Sequence, residues 1–97
     1  MTEVLFAEFT VKEGAEQEVA RLVAGLTPRV RAEPGNVRFE PNVRRDDPRR
    51  YVIYEVYRDR AAFDAHMGAA YGVEFNAAVN PLIEEDGTAL TWLVSTE

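Results

Sequence analysis

At 97 residues, with 46% hydrophobic side chains and a formal net charge of -6, the chain has the size and apolar content of one globular domain spanning residues 1–97. The absence of cysteine excludes disulfides, thiolate metal sites and a cysteine nucleophile, and suits a reducing cytoplasm. An excess of 17 acidic over 11 basic side chains repels nucleic-acid backbones, and no apolar run approaches the ~20 residues of a membrane helix, so the expected protein is cytoplasmic and binds neither.

Val4 to Val11 is apolar on both alternating sets and stops at Lys12-Glu13-Gly14, the pattern of a strand buried on both faces that ends in a turn. From Ala15 the apolar positions Val19, Leu22, Val23, Leu26 and Val30 mark an amphipathic helix. Glu16 and Glu18 open it and Arg29 and Arg31 close it, as the helix dipole favours. Pro28 falls inside the stripe, so the helix either kinks there or ends near Leu26. Ala32-Glu33-Pro34-Gly35 is a turn, after which Val37 and Phe39 alternate with Asn36, Arg38 and Glu40 as in a half-exposed strand. Pro41 cannot donate to a ladder, which implies a bulge or an edge position.

Arg45-Asp46-Asp47-Pro48 links this strand to Tyr51–Tyr57, where both alternating faces are apolar enough to be covered. Arg44, Arg45, Arg49 and Arg50 flank the link and read as a solvated hairpin tip. Asp59 is a good N-cap for a helix whose inward stripe of Phe63, Met67 and Ala70 includes His66, the chain's one histidine. Gly68 breaks that helix, and Tyr71, Phe75, Ala78, Val79 and Leu82 predict another ending around Asn80-Pro81. Glu84-Glu85-Asp86-Gly87 turns into a last strand, Thr88 to Ser95, with Leu90, Trp92 and Val94 on one face.

This order predicts an α+β, ferredoxin-like split βαβ fold, a four-stranded antiparallel sheet with helices on one face. A chain this short buries only roughly 60 to 70% of its unfolded surface. Since its first and third strands are apolar on both sides, the uncovered sheet face is expected to pack against a second copy, giving a homodimer.

Two runs resemble the antibiotic biosynthesis monooxygenase domain family: Arg31-Ala32-Glu33-Pro34-Gly35-Asn36-Val37-Arg38-Phe39-Glu40, and Tyr54-Glu55-Val56-Tyr57-Arg58-Asp59-Arg60-Ala61-Ala62-Phe63-Asp64-Ala65-His66. With the opening strand and its Val11-Lys12-Glu13-Gly14 end, the resemblance spans nearly the whole chain. It implies a dimeric α+β barrel with a pocket between sheet and helices in each subunit. The family includes cofactor-free oxygenases of aromatic phenols and quinols, haem-degrading enzymes and isomerases, and the fold does not choose among them. Haem-degrading members use an Asn, a Trp and a His at positions that correspond here to Ala7, Tyr57 and Asn76, so haem degradation is disfavoured. A second histidine common in other members is replaced near Tyr71.

The resemblance thus implies a cofactor-independent monooxygenase with a small aromatic substrate and no metal. His66 and Glu55 are its expected proton-handling residues, since histidine exchanges protons near neutral pH and burial raises a glutamate. Tyr57, Tyr71, Phe75 and Trp92 are the expected flat apolar walls, and Asn36 completes the substrate-binding set. Each has a purely structural alternative. His66 stands where it could meet the carbonyls ending its helix, Glu55 could pair with Arg38 or Arg58, and the rings could be ordinary core. A non-oxygenase, either an isomerase or a regulatory dimer, would use the same pocket, whereas a plain dimerisation module would fill it with side chains.

Overall fold

The computed structural model describes residues 1–97 and contains one four-stranded antiparallel sheet with its helices on one side. The elements are β1 (Glu3–Thr10), α1 (Glu16–Arg31), β2 (Asn36–Arg44), β3 (Asp47–Tyr57), α2 (Arg60–Met67), α3 (Ala70–Val79), a 3-10 turn (Asn80–Leu82) and β4 (Ala89–Leu93). The strand order β2-β3-β1-β4 places β1 and β3 in the centre, as the split βαβ arrangement requires. No helix is long and apolar enough to cross a membrane.

Pleating sends Leu5, Ala7 and Phe9 of β1 to the helical side, where Ala7 and Phe9 are buried with Phe39 and Ile53 against Val19, Val23, Leu26 and Val30 of α1. Burial of each such aliphatic side chain is worth about 1.5–3 kcal/mol. A smaller cluster of Leu5, Tyr57, Ala62 and Phe63 lies under α2. Val4, Phe6, Val52 and Tyr54 point to the other face and are half-buried, so β1 and β3 are not fully covered on both sides within one chain.

Four local expectations resolve in physical terms. Helix α1 runs through Pro28 to Arg31, because Val30 is wholly buried beyond it and Arg31 Nε bonds the Phe39 carbonyl at 3.0 Å. Pro41 stands on an edge strand opposite Ile53, and the register shifts fall elsewhere, at Asn36/Arg38 and Val43/Arg44. The hairpin turn shrinks to Arg45-Asp46, since Arg44 already pairs with Asp47 in the ladder and bonds the Asp46 carboxylate at 2.8 Å. Strand β4 stops at Leu93, leaving Val94 90% exposed.

Candidate functional site

Glu55 alternates with Ile53 and Tyr57 along β3, so the pleat turns all three toward the helices, and the register sets Glu55 between Leu5 and Phe39. At 5% exposure it is the one polar or charged side chain in the buried set. No arginine neutralises it. Arg38 pairs with Glu40 at 3.1 Å and Arg58 with Asp59 at 3.3 Å, because both arginines are exposed on the surface while Glu55 faces the interior. Its partner is instead Tyr57, whose hydroxyl donates to Glu55 Oε1 at 2.6 Å. Burial raises the Glu55 pKa, and the Tyr57 hydrogen bond and nearby His66 only partly oppose it. Burial, followed by the charge of Glu55, also drives the Tyr57 phenol strongly upward.

His66 reaches the same place from α2. The Asp59 side chain accepts from Ala62 N at 2.8 Å and starts the helix, and His66 falls one turn beyond the buried pair Ala62 and Phe63. Its imidazole does not serve its own helix end. Nε2 lies 3.9 Å from Glu55 Oε1, while Nδ1 lies 3.0 and 3.1 Å from the two oxygens of Glu33. The lone histidine is thus held between two carboxylates from different elements.

Glu33 was not singled out by the sequence, although it stands in the Glu-Pro-Gly turn that carried the resemblance. Gly35 explains its placement. A Cβ there would fall 2.3 Å from Ala62 Cβ, so only glycine lets α2 rest directly on the turn, and the Gly35 carbonyl also accepts from Arg58 N at 2.8 Å. Glu33 accepts a further hydrogen bond from the Tyr71 hydroxyl. Burial and that bond push the Tyr71 phenol up to about 12.

A cavity of ≈ 220 Å³ opens between sheet and helices, with Glu55 and His66 in its lining. Leu5, Ala7, Phe9, Leu26, Phe39, Ile53, Phe63 and Phe75 form apolar walls, while Met67, Gly72, Asn76, Asn80, Gly87, Thr88 and Leu90 complete the lining. Exposed Met67, Asn76, Asn80 and Leu90 mark its open side. The space is therefore not filled by side chains, as a plain dimerisation module would have it. Lysine and arginine are absent from the lining.

Of the residues expected at the site, Glu55, His66 and Phe75 line this cavity. Tyr57 lies wholly buried behind it, its ring centroid 4.9 Å from that of His66. Tyr71 stands outside, over Glu33 and beneath the Arg29 guanidinium. Trp92 is 44% exposed and meets Phe63 edge-on at 4.9 Å, so it backs a cavity wall without forming one. Asn36 is off the cavity, its amide donating to the Arg38 carbonyl at 3.0 Å where the β2 register shifts. The positions corresponding to the haem-degrading set divide similarly, with Ala7 and Asn76 in the lining and Tyr57 behind.

The raised Glu55 pKa makes a stability prediction. The folded chain holds a proton on Glu55 at pH values where the unfolded carboxyl, ordinarily near 4.5, has lost it. Stability must therefore fall as pH rises through the window between the two pKa values, by at most ~1.4 kcal/mol per pH unit. Glu55→Gln keeps an acceptor for Tyr57 and cannot ionise. Urea unfolding at fixed protein concentration should find the variant similar to wild type at pH 4 and more stable than wild type at pH 8.

The family model described as antibiotic biosynthesis monooxygenase matches residues 4–79. Protein SO0527 from Shewanella oneidensis is 34% identical, with a TM-score of 0.85 over 95% of this chain and 90% of that one. Rv0793 from Mycobacterium tuberculosis is 25% identical, with a TM-score of 0.92 over 100% of this chain and 97% of that one. A crystal structure described as an antibiotic biosynthesis monooxygenase is 25% identical, with a TM-score of 0.91 and 100% of both chains covered. No curated protein matches the sequence.

Proposed function

Because the chain belongs to the antibiotic biosynthesis monooxygenase family, we propose that it is a small homodimeric, cofactor-independent monooxygenase acting on an aromatic phenol or quinol. The observation that carries this reading is a buried Glu55, biased toward its protonated form, beside the chain's only histidine in an apolar cavity. A carboxyl biased toward its acid form, set beside an imidazole, places a proton donor and a proton acceptor in one site.

For a phenol the chemistry balances without an external reductant. His66 Nε2 takes the hydroxyl proton, and the phenolate passes one electron to dioxygen. The resulting radical pair joins as a C–O bond at a ring carbon, and neutral Glu55 protonates the distal oxygen. Loss of the ring hydrogen as a proton then breaks the O–O bond, leaving a quinone carbonyl and water. One oxygen atom enters the product, the other leaves as water, and the substrate supplies all the electrons.

The lining also bears on the substrate. With no lysine or arginine there, nothing offsets the desolvation of a carboxylate or phosphate, so the substrate enters neutral. An apolar cavity of ~150 Å³ accepts benzene, so the present ≈ 220 Å³ suits one substituted ring whose substituents extend through the mouth. Oxygen uptake in a sealed cell, across a panel of neutral phenols, naphthols and hydroquinones, tests the assignment. Uptake matched by quinone formation is expected. Ligands that bind but emerge unchanged or isomerised, with no oxygen consumed, would defeat it in favour of a binding protein or isomerase.

The homodimer rests on the sheet face opposite the helices. Val4, Phe6, Val52, Tyr54 and Leu93 are half-buried there, and the rings of Phe6 and Tyr54 meet at 5.6 Å. Such a continuous apolar surface is suited to a self-complementary two-fold contact. Phe6→Glu would place a carboxylate in its centre and should weaken association at least ~100-fold, equivalent to about 2.7 kcal/mol. Analytical ultracentrifugation should show a wild-type dimer and a largely monomeric variant at micromolar concentration. A folded wild-type monomer at that concentration would contradict the dimer.

A further inference from the structure

Glu33 lies outside the cavity lining, yet it is the hydrogen-bonding partner of the side of His66 that faces away from Glu55. Its oxygens stand 3.1 and 3.0 Å from Nδ1, and it also accepts from the Tyr71 hydroxyl. An ionised carboxylate can only accept hydrogen bonds, so the ring atom facing it must be the donor. We propose that Glu33 is the positioning residue of this site: it keeps the imidazole proton on His66 Nδ1, leaves the Nε2 lone pair facing Glu55 and the cavity, and balances the imidazolium that forms when Nε2 takes a proton.

The arrangement follows the general logic in which a base is oriented by a third group that does not touch the reacting atoms. Three contacts hold Glu33 to that task. The Tyr71 hydroxyl occupies its outer side, Asn36 N and the Glu33 carbonyl close the turn at 3.1 Å, and Gly35 seats the turn on α2 against Ala62. The Glu-Pro-Gly turn and the histidine helix therefore act as one unit, with the carboxylate delivered by the first to the imidazole delivered by the second. The inference rests on the reading of His66 as a base, but its geometric half can be measured without any substrate.

Because the chain has one histidine, its two ring nitrogens can be assigned unambiguously in long-range ¹H–¹⁵N spectra. In histidine-labelled protein, at an alkaline pH where the ¹⁵N shifts themselves show a neutral imidazole, the Nδ1–H tautomer is expected. Glu33→Gln can present its amide N–H₂ to Nδ1 and should shift the population toward Nε2–H, with turnover reduced about 100-fold. Glu33→Asp, which retains the carboxylate, should restore the Nδ1–H signal and recover turnover to within about tenfold of wild type. A wild-type Nε2–H tautomer, or one unchanged in Glu33→Gln, would overturn the role of Glu33 whether or not the protein consumes oxygen. The converse result, a correct tautomer shift in a protein that consumes no oxygen, would defeat the oxygenase reading and leave the positioning of His66 by Glu33 standing.

Discussion

His66→Ala should lower oxygen-dependent turnover by about 10²–10⁴-fold, the usual contribution of a positioned general base. The variant removes the only imidazole and leaves Glu55 with its Tyr57 partner at 2.6 Å, so substrate entry and the walls of the cavity persist. The effect should fall on kcat more than on KM, because proton abstraction matters in the transition state and less in binding. Added free imidazole should restore part of the lost rate by entering the vacated space. A purely structural His66 predicts the reverse pattern, with a lowered melting temperature and turnover that follows only the folded fraction.

Gly35→Ala should be the most damaging small substitution in the chain. Its new Cβ would meet Ala62 Cβ at 2.3 Å, far inside the ~3.5–4.0 Å at which carbon atoms rest. Relief requires α2 to withdraw from the turn, and His66 would move away from Glu33 with it. Overpacking of this kind costs about 3 kcal/mol, which for a domain of this size lowers the melting temperature by more than ~10 °C. The companion variant Ala62→Gly removes the opposing methyl at a helix-propensity cost of about 1 kcal/mol. The double variant should therefore be more stable than Gly35→Ala alone, a coupling that thermal unfolding of all four members of the cycle would measure. Strict additivity would show that the turn and α2 are not in contact as described.

The elements of this fold are written locally, which is why most of them can be read from sequence. Asp59 caps α2, Gly68 ends it, and the alternation of Ile53, Glu55 and Tyr57 sets these three side chains on one face of β3, while which face the helices cover is decided by the rest of the chain. The site is different because its decisive contacts are non-local. Glu33 and His66 are 33 positions apart, and nothing in the spacing of either predicts that a turn and a helix will meet through Gly35 and Ala62. Asn36, expected to bind substrate, follows that turn directly, but the register shift between Asn36 and Arg38 turns its amide to the Arg38 backbone. Trp92 has the flat apolar ring expected of a cavity wall, but ring type does not say which ring lies inside. Phe63 takes the cavity wall from α2, and Trp92, opposite Leu5 on an edge strand, covers Phe63 from outside together with the Arg60 guanidinium, 5.2 Å from the Phe63 ring. Glu55 is readable as a carboxylate within an apolar strand, while its pairing with Tyr57 in place of an arginine depends on which face the arginines finally occupy.

The central claim is that the Glu55–His66 cavity inserts one atom of dioxygen into a neutral phenol. It is tested most directly by turnover of an accepted phenol under ¹⁸O₂ in ordinary water, with the product reduced at once to the stable hydroquinone and weighed by mass spectrometry. One ¹⁸O atom per product is predicted in the wild-type protein, with the yield falling in His66→Ala. Product that carries no ¹⁸O from the gas, or labelled product formed equally well by His66→Ala, would contradict the account.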